Sequence, residues 1–470
     1  MADSAAMARS LWLQQALALD PGQPCPPLRG AARADVCIVG GGYTGLWTGL
    51  RIKQLEPACD VVVLEADICG GGASGRNGGF ALSLWPKLES LAARCGEQEG
   101  LRLARDSQAA VDAIGAFCSQ HGIDCHFRQA GWVWVATSPA QVGAWETSVS
   151  ACERRGLDVF TRLSDEELRR HVTEPTHLAG VFEPRAATVQ PALLARGLRR
   201  VALEQGVRIH EGSPMVELDR GRPPAVRTPE GAITAGHVVI ATNAWAAGIR
   251  ELRRAIAVIS SDIVATEPVP ATLERLRWTR GEAISDSRGM VHYYQATPEG
   301  RVIFGKGGGR LAFLGRVGTG FDYDSGRANH VARHLRVLFP SLAGSRITHA
   351  WAGQIDRTTN GLPFFGRLAG HPRISYGVGF SGNGVGPAYL GGRILASIAL
   401  VHDDEWSRCG LVHEPWGRFP PEPVRYLGGS MVKRAVARCE RFEDEGRTAG
   451  WAIPRLAAFA PAGFQKVAKR

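Results

Sequence analysis

Long apolar runs, paired cysteines and blocks of like charge are all missing from this chain. No apolar stretch in its 470 residues approaches the roughly 20 needed to span a bilayer, so no membrane role is expected. Residues 9–19 are too short and too polar for a signal peptide, which points to the cytoplasm. The ten cysteines are scattered from Cys25 to Cys439 without a C-x-x-C pair, so neither a disulfide framework nor a zinc site is expected. They read as small buried filler. There is no internal repeat or low-complexity segment, and nothing in the sequence sets an oligomeric state.

With 44% hydrophobic residues the chain can bury large cores, and its length suggests two or three domains. The formal net charge is +10, but arginine is spread along the chain, so nucleic acid is disfavoured as a partner. Lys433, Arg434, Arg438 and Arg441 recur at helical spacing, which reads as a solvated helix packed on the body.

Glycine is what the chain has in quantity, and it falls at two ends. Gly40-Gly41-Gly42-Tyr43-Thr44-Gly45 follows an apolar strand at 36–39 and opens a helical pattern over 44–56. Gly40 permits the turn, Gly42 lets main chain approach a pyrophosphate, and Gly45 lets helix and strand pack closely, with phosphates at the helix N-terminus. A second strand, 61–64, ends at Glu65, about twenty residues past the third glycine, where a carboxylate accepts from a ribose hydroxyl. The stretch 70–79 is too glycine-rich to pack a core, and its Arg76 and Asn77 carry donors suited to phosphate or flavin edges. A second glycine loop, 377–384, follows a strand at 374–378 and precedes a helix over 385–401.

Between these ends the patterns alternate. A helix is expected over 97–121, a half-buried strand at 131–136, a capping box at Ser164-Asp165-Glu166-Glu167, and a helix from Pro191 to Gln205. Strands at 207–209, 215–218 and 238–241 lead back to the first glycine loop. Strands at 262–265, 291–294 and 301–305 add to the antiparallel sheet that begins at 131–136.

Collinear stretches now carry a resemblance: 10–13 and 26–28, 34–46, 72–79, 241–245, 265–268, 351–354, 363–366 and 379–385. The chain resembles the FAD-dependent D-amino acid oxidase and glycine oxidase superfamily, most closely its bacterial gamma-glutamylputrescine oxidase-like branch. The resemblance implies an α/β fold with a Rossmann-like FAD-binding domain and an antiparallel-sheet (α+β) substrate domain, a glycine oxidase-like architecture. The implied FAD segments are 1–90, 186–255 and 345–420. The implied substrate-domain segments are 91–185 and 256–344, with a helical extension over 421–470.

The same resemblance implies a FAD site formed by Gly40, Gly42, Tyr43, Thr44, Gly45, Glu65, Ala66, Ala73, Ser74, Arg76, Asn77, Gly78 and Gly79. Val216, Ala241, Thr242, Asn243, Trp245, Trp351, Gly353, Gly382, Asn383, Gly384 and Val385 complete it. Val216 is expected to give main-chain contacts to adenine. The helix after Gly384 is expected to point its N-terminus at the flavin pyrimidine edge. Trp351 stands where sarcosine oxidase relatives anchor flavin through Cys, and 73–79 has no His, so noncovalent FAD is expected.

The implied chemistry is hydride transfer from the carbon beside an amine nitrogen to flavin N5, giving an imine that water hydrolyses. Oxygen is the expected acceptor, yielding hydrogen peroxide, with another acceptor left open. The substrate is a small amine, amino acid or aminophosphonate, whose anionic end Arg and Lys would recognise. Oxidation of a tRNA base side chain and a flavoprotein without amine turnover are the alternatives. For the reacting face, His292 and Tyr294 share one side of a strand while Tyr293 faces away. Lys306, in a glycine-rich turn, is the expected cation near substrate or flavin.

Overall fold

The computed structural model describes residues 9–461. The outer parts of two expected segments, 1–8 and 462–470, lie outside them. Among the described residues, no helix is long and apolar enough to cross a membrane.

Two eight-stranded sheets organise the chain. In the first, β1 (Gly30–Val39) lies between β2 (Val61–Leu64) and the strand Gly231–Ile240, parallel to both. His371–Val378 extends it in parallel, and Phe364–Leu368 closes that edge antiparallel. Val61 to Leu64 are all buried, as a parallel strand covered on both faces requires. Helix α1 (Leu11–Leu19) precedes β1, and α2 (Tyr43–Leu55) connects β1 to β2.

The second sheet runs β8 (Ile347–Arg357), β4 (Ala257–Thr266), β7 (Val302–Lys306), β6 (His292–Ala296), β5 (Ala283–Asp286), β3 (Trp132–Ala136), then Ala179–Glu183 and Thr161–Leu163. Its pairings are antiparallel except β3 with β5, which is parallel. This differs from the all-antiparallel expectation, because β3 and β5 come from distant segments and need no hairpin between them. Strand β8 also differs. It falls in the stretch expected in the cofactor segments, yet it pairs along its length with β4.

The local expectations hold at most ends. Ser164 and Glu167 form both halves of the capping box, and a helix covers Glu97–Gln120. Helix α3 (Leu88–Cys95) precedes that helix, α4 (Ser325–Leu338) covers the side of the second sheet away from α1, and α5 (Val385–Ala399) follows the second glycine loop. Helix α6 (Val424–Asp444) carries the basic tail residues. Arg434, Arg438 and Arg441 are exposed, while Lys433 Nζ donates to Gly309 O (2.6 Å).

Candidate active site

A cavity of about 1330 Å³ is walled by both sheets and both glycine loops, larger than the roughly 300–1,000 Å³ of ordinary small-molecule pockets. Its first end is built at the β1–α2 turn. Gly40 has φ +113°, and a Cβ there would meet Ala241 O at 2.4 Å. At Gly45 a Cβ would lie 1.9 Å from Gly40 O, so the helix rests directly on the turn. Gly42 caps α2 with no side chain of its own; Tyr43 N donates to Ser74 Oγ (2.9 Å), and the next N–H groups at the helix start are left for an anion. Gly40, Gly42, Tyr43 and Thr44 line the cavity, while Gly45 lies behind them.

Glu65 reaches the same wall from the end of β2. Its Oε2 accepts from Gly41 N (2.7 Å) and its Oε1 from Asp67 N (3.0 Å). A carboxylate offers about four lone-pair directions, so capacity remains for a ribose hydroxyl. Burial raises its pKa, opposed by the backbone N–H groups of Asp67 and Gly41.

The 72–79 loop is tied down differently from expectation. Asn77 Nδ2 donates to Ala73 O and Ser74 O, and its Oδ1 accepts from Gly79 N. Arg76 Nε donates to Gly71 O (2.9 Å), and its Nη1 lies 3.2 Å from the Asp322 carboxylate. Both side chains therefore shape the wall they line, and their donors are largely spent on protein. Ala66, Ala73, Ser74 and Gly78 line the cavity too, whereas Gly79 and Trp351 do not. A Cβ at Gly79 would sit 2.2 Å from Val189 O, so this glycine serves a close backbone crossing. Trp351 is buried against Trp12, and its Nε1 donates to Arg76 O (2.9 Å). It supports the loop from behind.

Val216, Ala241, Thr242, Asn243, Trp245, Gly353, Gly382, Asn383, Gly384 and Val385 all face the cavity. The Val216 N–H is taken by Arg227 O (2.9 Å), which leaves its carbonyl for adenine. Asn243 Oδ1 and Asn383 Oδ1 are buried without a protein partner. Buried acceptors are rarely left unpaired, and a flavin offers donors in its ring N–H and ribityl hydroxyls. Gly384 caps α5 with no side-chain bond, so a second helix N-terminus opens on the same space. Two helix starts with glycine at the N-cap, a ribose-side carboxylate and orphaned amide oxygens fit FAD.

The expected reacting residues lie on the wrong side of the sheet. Tyr294, His292 and Lys306 do not line the cavity. Tyr294 is 1% exposed and its hydroxyl meets His177 Nε2 at 2.6 Å. His292 Nδ1 lies 2.8 Å from Asp286 Oδ2, and Lys306 Nζ donates to Met290 O (3.2 Å). Residue parity is the reason: His292 pairs with Lys306, and Tyr294 with Phe304, so all four project to the face covered by α4. Tyr293 takes the cavity face instead.

Its ring lies over Gly305, where a Cβ would come within 2.1 Å of Tyr293 Cζ. Its hydroxyl meets Ser261 Oγ at 2.7 Å, and Ser261 Oγ donates to Lys306 O (3.0 Å). With the serine proton so placed, the Tyr293 O–H donates to Ser261 and its own oxygen can accept from a substrate N–H. Burial raises the Tyr293 pKa, so the phenol stays neutral. Trp132 and Trp134 stack on this face (ring centroids 5.1 Å, 17°), and Trp132 Nε1 donates to Ser285 Oγ (2.9 Å). Tyr293, Ser261, Trp132, Trp134, Lys87 and Arg357 all line the cavity and were missed as site residues. The signal lay in the strand itself, since Gly305 and Gly307 alternate with Phe304 and Lys306 and mark the face where a neighbouring ring must fit.

With this geometry in place, comparison with known proteins is informative. The family model described as FAD dependent oxidoreductase (DAO) matches residues 35–398. Gamma-glutamylputrescine oxidoreductase of Escherichia coli (strain K12) is 29% identical over 413 residues, covering 87% of this chain and 94% of the relative. A probable oxidoreductase, OrdL, of Haemophilus influenzae is 27% identical over 81% of this chain and 86% of its own. Among solved structures, glycine oxidase from Geobacillus kaustophilus superposes with a TM-score of 0.65 at 21% identity, covering 79% of this chain and 96% of that one.

Proposed function

The chain belongs to the DAO family of FAD dependent oxidoreductases, and from that premise we propose that it oxidises a small amine or amino acid at the carbon bearing nitrogen. FAD, when bound, supplies the two-electron acceptor for a hydride from that carbon. The observation that carries the reading is the Tyr293–Ser261 pair on the cavity face of the second sheet. It presents a neutral phenol oxygen that can accept from a substrate N–H and so orient the nitrogen. The indoles of Trp132 and Trp134 form a flat wall that excludes water from the same space and packs the carbon skeleton. The product imine is released to water, giving a carbonyl compound and ammonia or an amine.

Gamma-glutamylputrescine and glycine, named in two of the relatives, bracket the substrates this reading covers. Several of its parts follow from chemistry in the chain. No Cys or His stands among the described residues lining the cavity, which supports noncovalent FAD. All ten cysteines are free thiols, which suits the cytoplasm. Oxygen is the acceptor in this reading, leaving as hydrogen peroxide.

Anaerobic mixing of the yellow holoprotein with primary amines, N-methyl amines, amino acids and aminophosphonates tests the proposal. Bleaching of the flavin absorbance by one class is expected, and admission of oxygen should restore it with peroxide released. No bleaching by any amine overturns the reading. Acid precipitation should leave the chromophore in the supernatant, and retention on the protein would refute noncovalent binding.

A further inference from the structure

The loop 287–291, between β5 and β6, belongs to neither strand, yet it is cavity wall. Ser287, Arg288, Gly289 and Val291 line the cavity, as do Gly307 and Gly308 on the turn beside them. Backbone groups outside the sheet ladder need other partners, and at Met290 these are charged side chains. Met290 N donates to Glu440 Oε1 (2.7 Å), and Met290 O accepts from Lys306 Nζ (3.2 Å). Both charges are buried, so the two backbone groups of one residue are gripped from opposite sides.

The same helix holds this end of the cavity at further points. Arg288 Nε lies 2.9 Å from Asp286 Oδ2, and its two terminal nitrogens each lie 2.7 Å from an oxygen of Asp444. Lys433 Nζ donates to Gly309 O, just past Gly307 and Gly308. The Met290 side chain packs with Ile259, Val436 and Ala460, and its Sδ lies where a Cβ at Gly308 would come within 2.5 Å. Lys433, Val436, Glu440 and Asp444 follow one another at steps of three and four, which places them on one face of α6.

A helix that only covered a sheet would bury apolar side chains on that face. Burying a carboxylate is costly unless it is bonded, and Glu440 is bonded to wall backbone. Helix α6 also lies beyond the residues that the family model matches. Glu440 and Asp444 stand behind the wall and do not line the cavity. Val291, next to Met290, and Tyr293 both line it, so a shift of the Met290 backbone reaches the phenol.

We infer that α6 is a strap that sets the substrate end of the cavity, with Glu440 and Asp444 as positioning residues acting through Met290 and Arg288. The inference rests on the amine-oxidising reading for what this end of the cavity receives.

The test uses the full-length holoenzyme. Glu440→Ala removes the acceptor of Met290 N, and kcat/KM for the best amine should fall about 10-fold or more, since a misplacement near 1 Å costs on the order of 100-fold. Glu440→Gln keeps an acceptor at the same reach and should recover most of the loss. Asp444→Ala should act in the same direction but less, because Arg288 keeps Asp286. It also serves if Glu440→Ala does not fold. Flavin content should match the wild type in all three. A lower urea midpoint with unchanged kcat/KM would make α6 a mere cover and overturn the inference. Equal losses in Glu440→Gln and Glu440→Ala would assign the effect to the charge facing Lys306 and overturn the positioning role.

Hydrogen exchange read by mass spectrometry separates the strap from the amine reading. In Glu440→Ala, or in Asp444→Ala if that variant stands in, peptides spanning 286–291 should exchange faster while those of the first glycine loop stay as in the wild type. Unchanged exchange over 286–291 overturns the inference even in an enzyme that oxidises an amine. Faster exchange there, in a protein that no amine bleaches, keeps the strap as a cavity-wall element and refutes the amine reading.

Discussion

The two faces of the second sheet come from the same strands yet obey different rules. Toward the cavity stand Trp132, Trp134, Ser261, Ser285 and Tyr293, with glycines at 305 and 307 where rings and backbone must approach. Away from it, Val133, Val135, Ile284, Tyr294 and Phe304 pack with Trp278, Phe339 and Leu335 of α4. Several polar groups on that far face pair with each other, although among the described residues Trp278 Nε1 and His292 Nε2 keep no hydrogen-bond partner. His177 meets Tyr294, Asp286 lies against His292 and Arg288, and Arg288 reaches Asp444 of α6. The cavity face keeps acceptors and a cation open. The far face spends most of its polar groups on one another, which rigidifies a buried cluster. Perturbed groups therefore occur on both faces, and only their direction tells function from support.

The largest effect should come from breaking the cavity face at its thinnest point. Gly305→Val places atoms where the Tyr293 ring now lies and should push the phenol off the amine site. A misplacement near 1 Å can lower catalysis on the order of 100-fold, so kcat/KM should fall by at least that, read by steady-state peroxide release. Retained activity would mean that Tyr293 does not contact the substrate. Flavin content, set by the other sheet, should be little changed.

Acid should act on the opposite face. Burial brings the pKa values of His177 and His292 down to about 4, and Lys306 and Arg288 add to the effect at His292 against the pull of Asp286. In the unfolded chain each imidazole titrates near 6.5. The unfolded state therefore binds more protons between these values, and stability is full above about pH 6.5 and falls as pH drops toward 4. The loss is on the order of 2 kcal/mol per histidine at pH 5. Urea midpoints at pH 7.5 and 5 should show it, and His177→Gln should shrink the difference. An unchanged midpoint would place both imidazoles in a less buried setting.

How much of this was legible follows from which forces each residue answers to. The first-sheet site was readable because its glycines are dictated by close approaches: Gly40 by the Ala241 backbone, Gly42 by the Ser74 hydroxyl, Gly45 by the Gly40 carbonyl. A close approach leaves a local mark in sequence. Asn77 was misjudged because a side-chain amide serves a loop as well as a ligand, and its loop uses all of it. The parity of 292–294 could not be fixed from the strand alone, since His-Tyr-Tyr offers polar aromatics to either side. Gly305 on the neighbouring strand decides it, through a contact between residues that pair only in the fold. Lys87 and Arg357 reach one cavity wall from about 270 positions apart in the chain, beyond the reach of any local pattern.

The smallest expected effects make the sharpest comparison, because they differ by one atom at adjacent positions. Tyr293→Phe removes the oxygen that faces the cavity and leaves Ser261 its bond to Lys306 O. Stability should change by about 1 kcal/mol or less, while kcat/KM falls about 10-fold with loss of the substrate hydrogen bond. Tyr294→Phe removes the partner of His177 Nε2 inside a closed core, which should lower stability by about 1–3 kcal/mol and leave kcat/KM as it was. Paired measurements of urea midpoint and steady-state kinetics read both quantities in both variants. If Tyr294→Phe were the one that lost activity at full stability, the assignment of the two faces would be reversed, and the reacting groups would have to lie beneath the sheet with Lys306. The 2.6 Å contact with His177 and the absence of Tyr294 from the cavity wall argue against that outcome.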